Sequence, residues 1–361
     1  MLDALLSLLD GEKAAEVVWT ADLSYWIAGR QAAGEADPAW GTEEGYLELH
    51  RSLGVMPYYY YDKFWAGTAV YDETVAVEDS VEEDETVREI RTAAGTLTER
   101  STYLTASCST GVTQHFVRSE ADLDILLHVL EHRRLERANL ADYPRRRELW
   151  REYDGLPCIG LPRSPLASFV YEWAGLQNAS YLLMDCEEKV RRVLELMEEQ
   201  ERPVMDAVCE VRPPLVHFPD NLSSDNLTGF YDEFMAPAHR RRLEWLHGHG
   251  IRAAVHLDGT VRGLLPKLVE VGFDAVEAIT PRPAGDLQVE EIPVVAGSET
   301  VILWGGVPGV MFADPYGWEE MERHVRKVLE CWGGRPFVLG VADQVPPDGN
   351  VEFCARIAEM L

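Results

Sequence analysis

The segment Val255-His256-Leu257-Asp258-Gly259 ends a short apolar run on side chains that commonly bind metals. Two other runs end in the same way, Asp274-Ala275-Val276-Glu277-Ala278 and Phe337-Val338-Leu339-Gly340-Val341-Ala342-Asp343. Runs of this kind are typical of the catalytic end of a β/α barrel, where the carboxyl ends of the strands meet. One imidazole and three carboxylates can bind a divalent cation. We therefore predict a metal site formed by His256, Asp258, Glu277 and Asp343.

Short apolar runs recur along the whole chain and predict eight strands. In chain order these are 16–20, 56–61, 157–161, 214–218, 251–257, 274–278, 300–304 and 336–341. Apolar residues at helical spacing separate most of them, as between Leu123 and Leu130 after the N-cap candidate Ser119. Strands that alternate with helices indicate parallel βα units. Eight such units predict an α/β fold, a single (β/α)8 TIM barrel domain over residues 1–361.

Residues 67–105 interrupt this alternation. Apolar and charged residues alternate in Thr86-Val87-Arg88-Glu89-Ile90-Arg91, and Ala93-Ala94-Gly95 is a turn candidate. This pattern predicts an antiparallel hairpin inserted after the second strand, which either covers the site or supports a dimer. The first ~15 residues of the chain predict an amphipathic helix that caps the barrel.

Composition narrows the range of partners. The chain has 62 acidic and 33 basic residues and a formal net charge of −29, so we expect it to bind neither nucleic acid nor anionic membranes. Without an apolar run of about 18 residues, no membrane span is expected. The N-terminus lacks the basic region of a secretory signal. The six cysteines are scattered without a CxxC motif, which predicts reduced thiols in a cytoplasmic protein.

Four segments resemble the uroporphyrinogen decarboxylase superfamily. They are Pro165 to Gly175, Phe218-Pro219-Asp220-Asn221 with Phe234-Met235-Ala236-Pro237, His256-Leu257-Asp258-Gly259, and Val338 to Pro347. The resemblance begins near residue 110 and implies the barrel fold. Homodimers are common in this superfamily, so it also implies that a homodimer can form.

Two departures from the decarboxylases of this superfamily bear on the substrate. Those enzymes carry an arginine-rich segment near the N-terminus that grips the porphyrin carboxylates, whereas Ser24 to Arg30 contains a single arginine. They also carry a histidine in the last strand where this chain has Val341. Porphyrinogen decarboxylation is therefore not expected.

The superfamily also contains zinc-dependent methyltransferases, which use His-x-Cys in the fifth strand and a cysteine in the last. This chain is similar but has His256-x-Asp258, and Asp343 where the last cysteine falls. The resemblance implies Zn²⁺ and methyl transfer to a corrinoid carried by a partner protein. An oxygen-rich zinc site suits polarising an ether oxygen. We therefore expect a small-molecule methyl donor, in particular a methoxy-aromatic compound whose ring the aromatic residues near the strand ends would hold.

Other candidates lie at or near the predicted strand ends. Tyr171, implied by the resemblance, and Asp220 are candidate catalytic residues. The candidate substrate-binding residues are Trp19, Arg163, Phe218, Asn221 and Trp304. Structural roles compete with each of these functions: His256 as a core histidine, Glu277 and Asp343 as helix caps, Asp220 and Asn221 as loop stabilisers, Arg163 in an ion pair and Tyr171 in helix packing.

Two other classes of function remain open from the sequence. The first is a lyase or decarboxylase that acts on a small acid without a metal, using the carboxylates and Tyr171 as acid and base groups. The second is a non-catalytic protein whose barrel rim holds a corrinoid-protein domain. Metal content and turnover of a methyl donor separate these classes.

Overall fold

A computed structural model describes residues 1–58, 65–82 and 84–361. The strands are β1 (Trp19–Thr20), β2 (Gly67–Tyr71), β3 (Ala76–Glu82), β4 (Glu85–Thr92), β5 (Gly95–Leu104), β6 (Ser109–Gln114), β7 (Arg133–Arg137), β8 (Ile159–Gly160), β9 (Leu215–Leu222), β10 (Arg252–Leu257), β11 (Ala275–Ile279), β12 (Ile302–Pro308) and β13 (Phe337–Ala342). Seven of the eight predicted strands therefore correspond to β1 and β8 to β13.

Helices follow or separate most of these strands. They are α1 (Leu2–Leu9), α2 (Ser24–Ala32), α3 (Glu43–Ser52), α4 (Glu120–Glu131), α5 (Tyr143–Arg151), α6 (Pro165–Ser168), α7 (Gly175–Asp185), α8 (Glu187–Glu199), α9 (Arg202–Val211), α10 (Ser224–Phe230), α11 (Ala236–Gly248), α12 (Leu265–Val271), α13 (Glu291–Ala296), α14 (Trp318–Trp332) and α15 (Glu352–Ala358). Phe169–Ala174 and Tyr231–Met235 are π-helical. Ser119 caps α4 as predicted, because its side chain accepts a hydrogen bond from the backbone N–H of Asp122.

A curled parallel sheet forms the centre of the molecule. In the described residues its strand order is β1-β13-β12-β11-β10-β9-β8. The backbone before the first gap in the description bonds to both of its ends: Met56 N donates to Trp19 O at 2.8 Å, and Cys158 N donates to Tyr58 O at 3.1 Å. The predicted second strand, 56–61, therefore begins between β1 and β8, and its last three residues lie outside the described part of the chain.

The region predicted as a hairpin contains more strands than expected. β3, β4, β5 and β6 form a four-stranded antiparallel sheet, and β2 pairs with β7 in a separate antiparallel ribbon. The sheet turns at the expected place, since Thr92 pairs with Gly95. Alternation did not reveal β6, because its side chains are exposed or half-buried and no apolar face marks it.

Two buried groups of side chains surround the parallel sheet. The smaller group joins α1 to the amino-terminal ends of the strands through residues such as Leu5, Val18 and Ile302. Fully burying a side chain of this kind stabilises the fold by about 1.5–3 kcal/mol. These buried contacts therefore hold α1 against the amino-terminal ends of the strands, where it acts as a cap. The larger group packs the helices against the outside of the sheet. The polar residues of the site are left at the carboxyl ends of the strands.

A buried ion pair fixes the backbone that follows β8. On α11, Arg242 donates from Nε to Glu201 Oε2 at 2.9 Å, and both residues are buried. Its guanidinium also donates to Pro162 O at 3.0 Å and to Arg163 O at 3.1 Å. Because the pair bonds the backbone on which Arg163 sits, it holds one wall of the site in place.

Candidate metal centre

A cavity of about 260 Å³ opens at the carboxyl ends of the parallel strands. Six of the predicted site residues line it: Arg163, Asn221, His256, Asp258, Glu277 and Asp343. The sheet brings them together because His256 lies one residue before the end of β10, Glu277 lies on the adjacent β11, and Asp343 directly follows β13. The remaining predicted site residues lie elsewhere, as described below.

Glu277 is the centre of a hydrogen-bonded group. It lies opposite His256 in the parallel register, and His256 Nδ1 donates to Glu277 Oε2 at 2.6 Å. His217 Nε2, on β9, donates to the same oxygen at 3.2 Å. Tyr58 donates from its hydroxyl to Glu277 Oε1 at 2.7 Å. These four residues are called the Glu277 cluster below, and three donors hold its carboxylate in one orientation.

The charges of the cluster oppose the effect of burial. Burial alone would raise the pKa of Glu277, which is 2% exposed, but the charge of His256 and hydrogen bonds from both histidines hold that pKa well below its usual range. Burial would likewise lower the pKa of His256, but the charge and hydrogen bond of Glu277, with help from Asp343 and Asp258, raise it to about 9. Without a metal, the cluster is therefore an imidazolium and carboxylate pair at neutral pH.

Further carboxylates increase the negative potential of the cavity. Asp343 Oδ1 lies 3.7 Å from His256 Nε2. Burial raises the pKa of Asp343 to about 6, although His256 opposes the rise, and Asp258, Asp22 and Glu277 add to it. Burial is also the main cause that raises the pKa of Asp22. Raised carboxyl pKa values show that negative charge in this cavity is disfavoured, and a divalent cation would offset that charge.

The donors that converge differ from the predicted set. In the described residues, ligand atoms of His217, His256 and Glu277 lie within 4.8 Å of one another. Asp258 lines the same cavity as His256 but is exposed at the rim, because it lies one residue beyond the end of β10 at Leu257. Asp343 approaches His256 from the opposite side.

Sequence reasoning missed His217. It lies inside the predicted strand 214–218 and is 5% exposed. A titratable residue within an apolar run is the sequence signal that marks His217. The candidates predicted near this strand end were instead its neighbours Phe218 and Asp220. In the register of the sheet, His217 pairs with Ala254, two residues before His256. A histidine on the neighbouring strand therefore belongs in the candidate set.

The predicted aromatic residues lie in the core instead of the cavity wall. Trp19 and Phe218 are fully buried, and Trp304 is 1% exposed. Trp19 Nε1 donates to Cys354 O at 3.2 Å, and Trp304 Nε1 donates to the Thr20 hydroxyl at 2.8 Å. Their indole N–H groups thus bond inside the protein. Among the residues that the structure describes, the aromatic side chains that line the cavity are instead Tyr25, Tyr58 and Trp65.

The two predicted catalytic residues lie behind the wall of the cavity. Asp220 is fully buried and accepts hydrogen bonds from Ser164 N at 2.7 Å and from His239 Nε2 at 2.8 Å. Tyr171 donates from its hydroxyl to Asn221 O at 2.7 Å. In this structure both residues hold backbone that borders the cavity. Asp220 ties the segment after β8 to β9, and Tyr171 fixes Asn221.

Asp220 gives a prediction about acid stability. Burial would raise its pKa, but the hydrogen bond and charge of His239 and the charge of Arg242 lower it to about 2. Because the folded pKa lies below the unfolded value of about 3.9, the stabilisation is present above pH 4 and disappears as the pH falls towards 2. Between pH 5 and 2 we expect the wild type to lose about 2–3 kcal/mol more stability than Asp220→Asn. Urea unfolding of both proteins across this pH range measures the difference. Equal losses of stability in the wild type and in Asp220→Asn would contradict the prediction.

Two site residues have left-handed backbone conformations. Asn221 has φ +49° and Asp343 has φ +67°. Asn and Asp are enriched in this region, which other side chains with a Cβ visit less often. At both positions the backbone turns where the chain leaves the sheet, and both side chains line the cavity. The conformation therefore helps to direct polar groups into the site.

The fold and the site together define an α/β protein with a polar, metal-ligand-rich cavity at one end of a parallel sheet. The model of the uroporphyrinogen decarboxylase (URO-D) family matches residues 112–361, and the chain belongs to that family. Among the curated proteins, no sequence matches the chain. None of the helices in the described residues has the length and apolar character that crossing a bilayer requires.

A solved structure shares the fold. A methyltransferase from Methanosarcina mazei superposes with a TM-score of 0.58 at 15% identity, covering 99% of this chain and 97% of its own. A B12-independent methionine synthase from Shewanella sp. W3-18-1, in complex with selenomethionine, has a TM-score of 0.44 at 12% identity and covers 73% of this chain and 74% of its own. At these identities the likeness concerns architecture.

Proposed function

We propose that this protein is a metal-dependent methyltransferase. It would hold Zn²⁺ at the Glu277 cluster and move a methyl group from a small methoxy compound to a corrinoid carried by a partner protein. The observation that carries the proposal is the convergence of His217, His256 and Glu277 within 4.8 Å. Membership of the URO-D family and an architecture shared with a methyltransferase support it.

The donor set fits zinc. Two imidazoles and one carboxylate are a known ligand set for catalytic zinc that leaves a coordination position open. His217, His256 and Glu277 would hold the ion, and Asp343, 3.7 Å from His256 Nε2, would stay outside the ligand set. The surrounding carboxylates would offset the charge of the ion.

The chain's own residues would do most of the positioning. When bound, zinc would polarise the ether oxygen of the methyl donor as a Lewis acid. Tyr58 would orient Glu277 from the side away from His256, because it bonds the other carboxylate oxygen. As the methyl group leaves for the acceptor, the carboxyl group of Asp343 would give its proton to the departing oxygen. Its pKa of about 6 suits that exchange near neutral pH.

The architecture of this proposal is a (β/α)8 barrel that residues 56–58 close between β1 and β8, with the antiparallel sheet β3–β6 as an insertion. The corrinoid partner would approach the open end of the barrel, where the cavity lies. A homodimer and a cytoplasmic location stay predictions.

Metal analysis and a methyl-transfer assay test the proposal. We expect about one zinc per chain, loss of activity on chelation and recovery when zinc is added. We also expect methylation of free cob(I)alamin, followed by its absorbance. His256→Ala should weaken zinc binding more than tenfold. His247→Ala, which removes a surface histidine paired with Asp274, should not. Protein that methylates cob(I)alamin without any bound metal would exclude the proposal.

A metal-free lyase that acts on a small acid is the second candidate. Arg163 favours it, since it lines the cavity and can hold a substrate carboxylate. In this second candidate function, His256 and Asp343 act as acid and base. Removing metal with a chelator then leaves the activity unchanged. Among the described residues that line the cavity, four carboxylates accompany this one arginine. That balance opposes a porphyrin with many carboxylates as the substrate.

A further inference from the structure

A second cavity of about 280 Å³ lies beside the first. The two share Trp65, Arg163 and Pro219 in their walls. Its other walls come from β2, from β7 and from the helices on the outside of the sheet. A ligand that passes Trp65 and Arg163 would therefore extend from the Glu277 cluster into this second cavity.

The charges of the second cavity differ from those of the first. Its charged lining residues are Arg133, Arg163, Glu172 and Glu201. Glu172 pairs with Arg163 at 3.2 Å, and Glu201 pairs with the buried Arg242. Each carboxylate therefore forms its ion pair with an arginine other than Arg133, and at Arg133 the two carboxylates only partly offset the effect of burial.

Arg133 is half-buried and lines the second cavity. An anion bound in this cavity would give its guanidinium an ion pair. Its Nε donates to Gln200 Oε1 at 2.8 Å, and within the described residues it forms no ion pair. Burial lowers the pKa of its guanidinium, so the surroundings disfavour its charge. The Nε–H of Arg163 is also buried and donates to no described group. A buried guanidinium without a carboxylate costs free energy that a bound anion recovers.

We propose that the second cavity binds the carboxylate end of the substrate, with Arg133 as its main anchor. The methyl-bearing end then lies at the Glu277 cluster, so the substrate is an elongated small molecule with a carboxylate at the far end. A guanidinium that forms no ion pair with the described residues matches a monoanion, and its planar shape matches a carboxylate in a two-bond contact. The position of the methyl group rests on the proposed function, whereas the anion site does not.

Titration with benzoate, followed by calorimetry, tests the site. Arg133→Met should weaken binding about ten- to a hundredfold, as expected for loss of a charge-assisted pair. Arg134→Met removes the same charge from an exposed position one residue along β7 and should bind as the wild type does. Arg133→Lys should bind with intermediate affinity, because lysine keeps the charge and loses the planar contact.

Two further arms separate this inference from the proposed function. His256→Ala should bind benzoate as the wild type does even if it has lost metal and activity. Loss of benzoate binding in that variant would place the anion at the Glu277 cluster and overturn the inference. So would a wild type that does not bind benzoate, equal affinities in the Arg133→Met and Arg134→Met variants, or tighter binding of inorganic phosphate than of benzoate.

Discussion

Replacing Glu277 with glutamine is expected to lower zinc affinity by about a hundredfold or more and to remove the pH dependence of stability between pH 6.5 and 9. The amide keeps the shape of the side chain but presents an N–H₂ group to a site that already contains two imidazole donors and a hydroxyl. One donor is then left facing another donor inside the protein. The substitution therefore disturbs the positions of the metal ligands, and it also removes the negative charge that favours a cation.

The sign of the pH effect follows from His256. Its folded pKa of about 9 lies above its unfolded value of about 6.5, so its stabilisation is complete below pH 6.5 and disappears as the pH rises through 9. In metal-free wild type, we expect stability to fall by roughly 3 kcal/mol across this range. Glu277→Gln removes the charge that raises the pKa, and the slope should vanish.

Urea unfolding of chelated protein at pH 6 and pH 9, together with zinc titration, measures both effects. Asp72→Asn is the matched control, because Asp72 and His132 form a carboxylate and imidazole pair at 2.8 Å on the surface. That variant should keep wild-type zinc affinity and the wild-type slope above pH 6.5. A Glu277→Gln protein that binds zinc normally would show that this carboxylate is not part of a metal site.

The second large effect is expected at Arg242. Arg242→Met leaves the Glu201 carboxylate buried without its partner and removes the hydrogen bonds to Pro162 O and Arg163 O. Breaking a buried pair by removing one member typically costs about 3–5 kcal/mol. We expect a loss of that size in the free energy of unfolding, measured by urea titration. The wall that carries Arg163 should loosen at the same time.

The chain provides a matched comparison at the next residue. Arg241 pairs with Glu198 on the surface, with its side chain 56% exposed. Arg241→Met should therefore cost less than about 1 kcal/mol. The double variant Arg242→Met, Glu201→Leu should recover most of the lost stability, because no unpaired charge remains buried. Equal losses in the Arg241→Met and Arg242→Met variants would show that burial of the pair does not matter.

Most of the parallel sheet could be predicted from the sequence because strand position depends on local pattern. β10 and β11 read as continuous apolar runs, and their adjacency predicted that His256 and Glu277 would meet. The orientation of side chains at strand ends was not predictable in the same way. Asp258 lies one residue beyond the end of β10 and is exposed at the rim, and residue spacing alone does not fix the point at which a strand ends.

Long-range partners account for the other differences. Asp220 is buried because His239, on α11, donates to it, and that pairing depends on how the helix packs. Trp19 is held by a carbonyl near the opposite end of the chain. In each case a polar atom finds a partner far away in sequence, so a residue near a strand end becomes part of the core. His217 was hidden for a related reason, since its apolar neighbours resemble core.

The backbone at Asp343 limits which side chains this position can carry. With φ +67°, the position favours aspartate or asparagine, and a β-branched residue there would adopt a conformation it rarely visits. Replacing Asp343 by such a residue would therefore require a second change that lets the chain leave the last strand in another direction. The side chain at this position and the path of the backbone after the last strand are thus coupled.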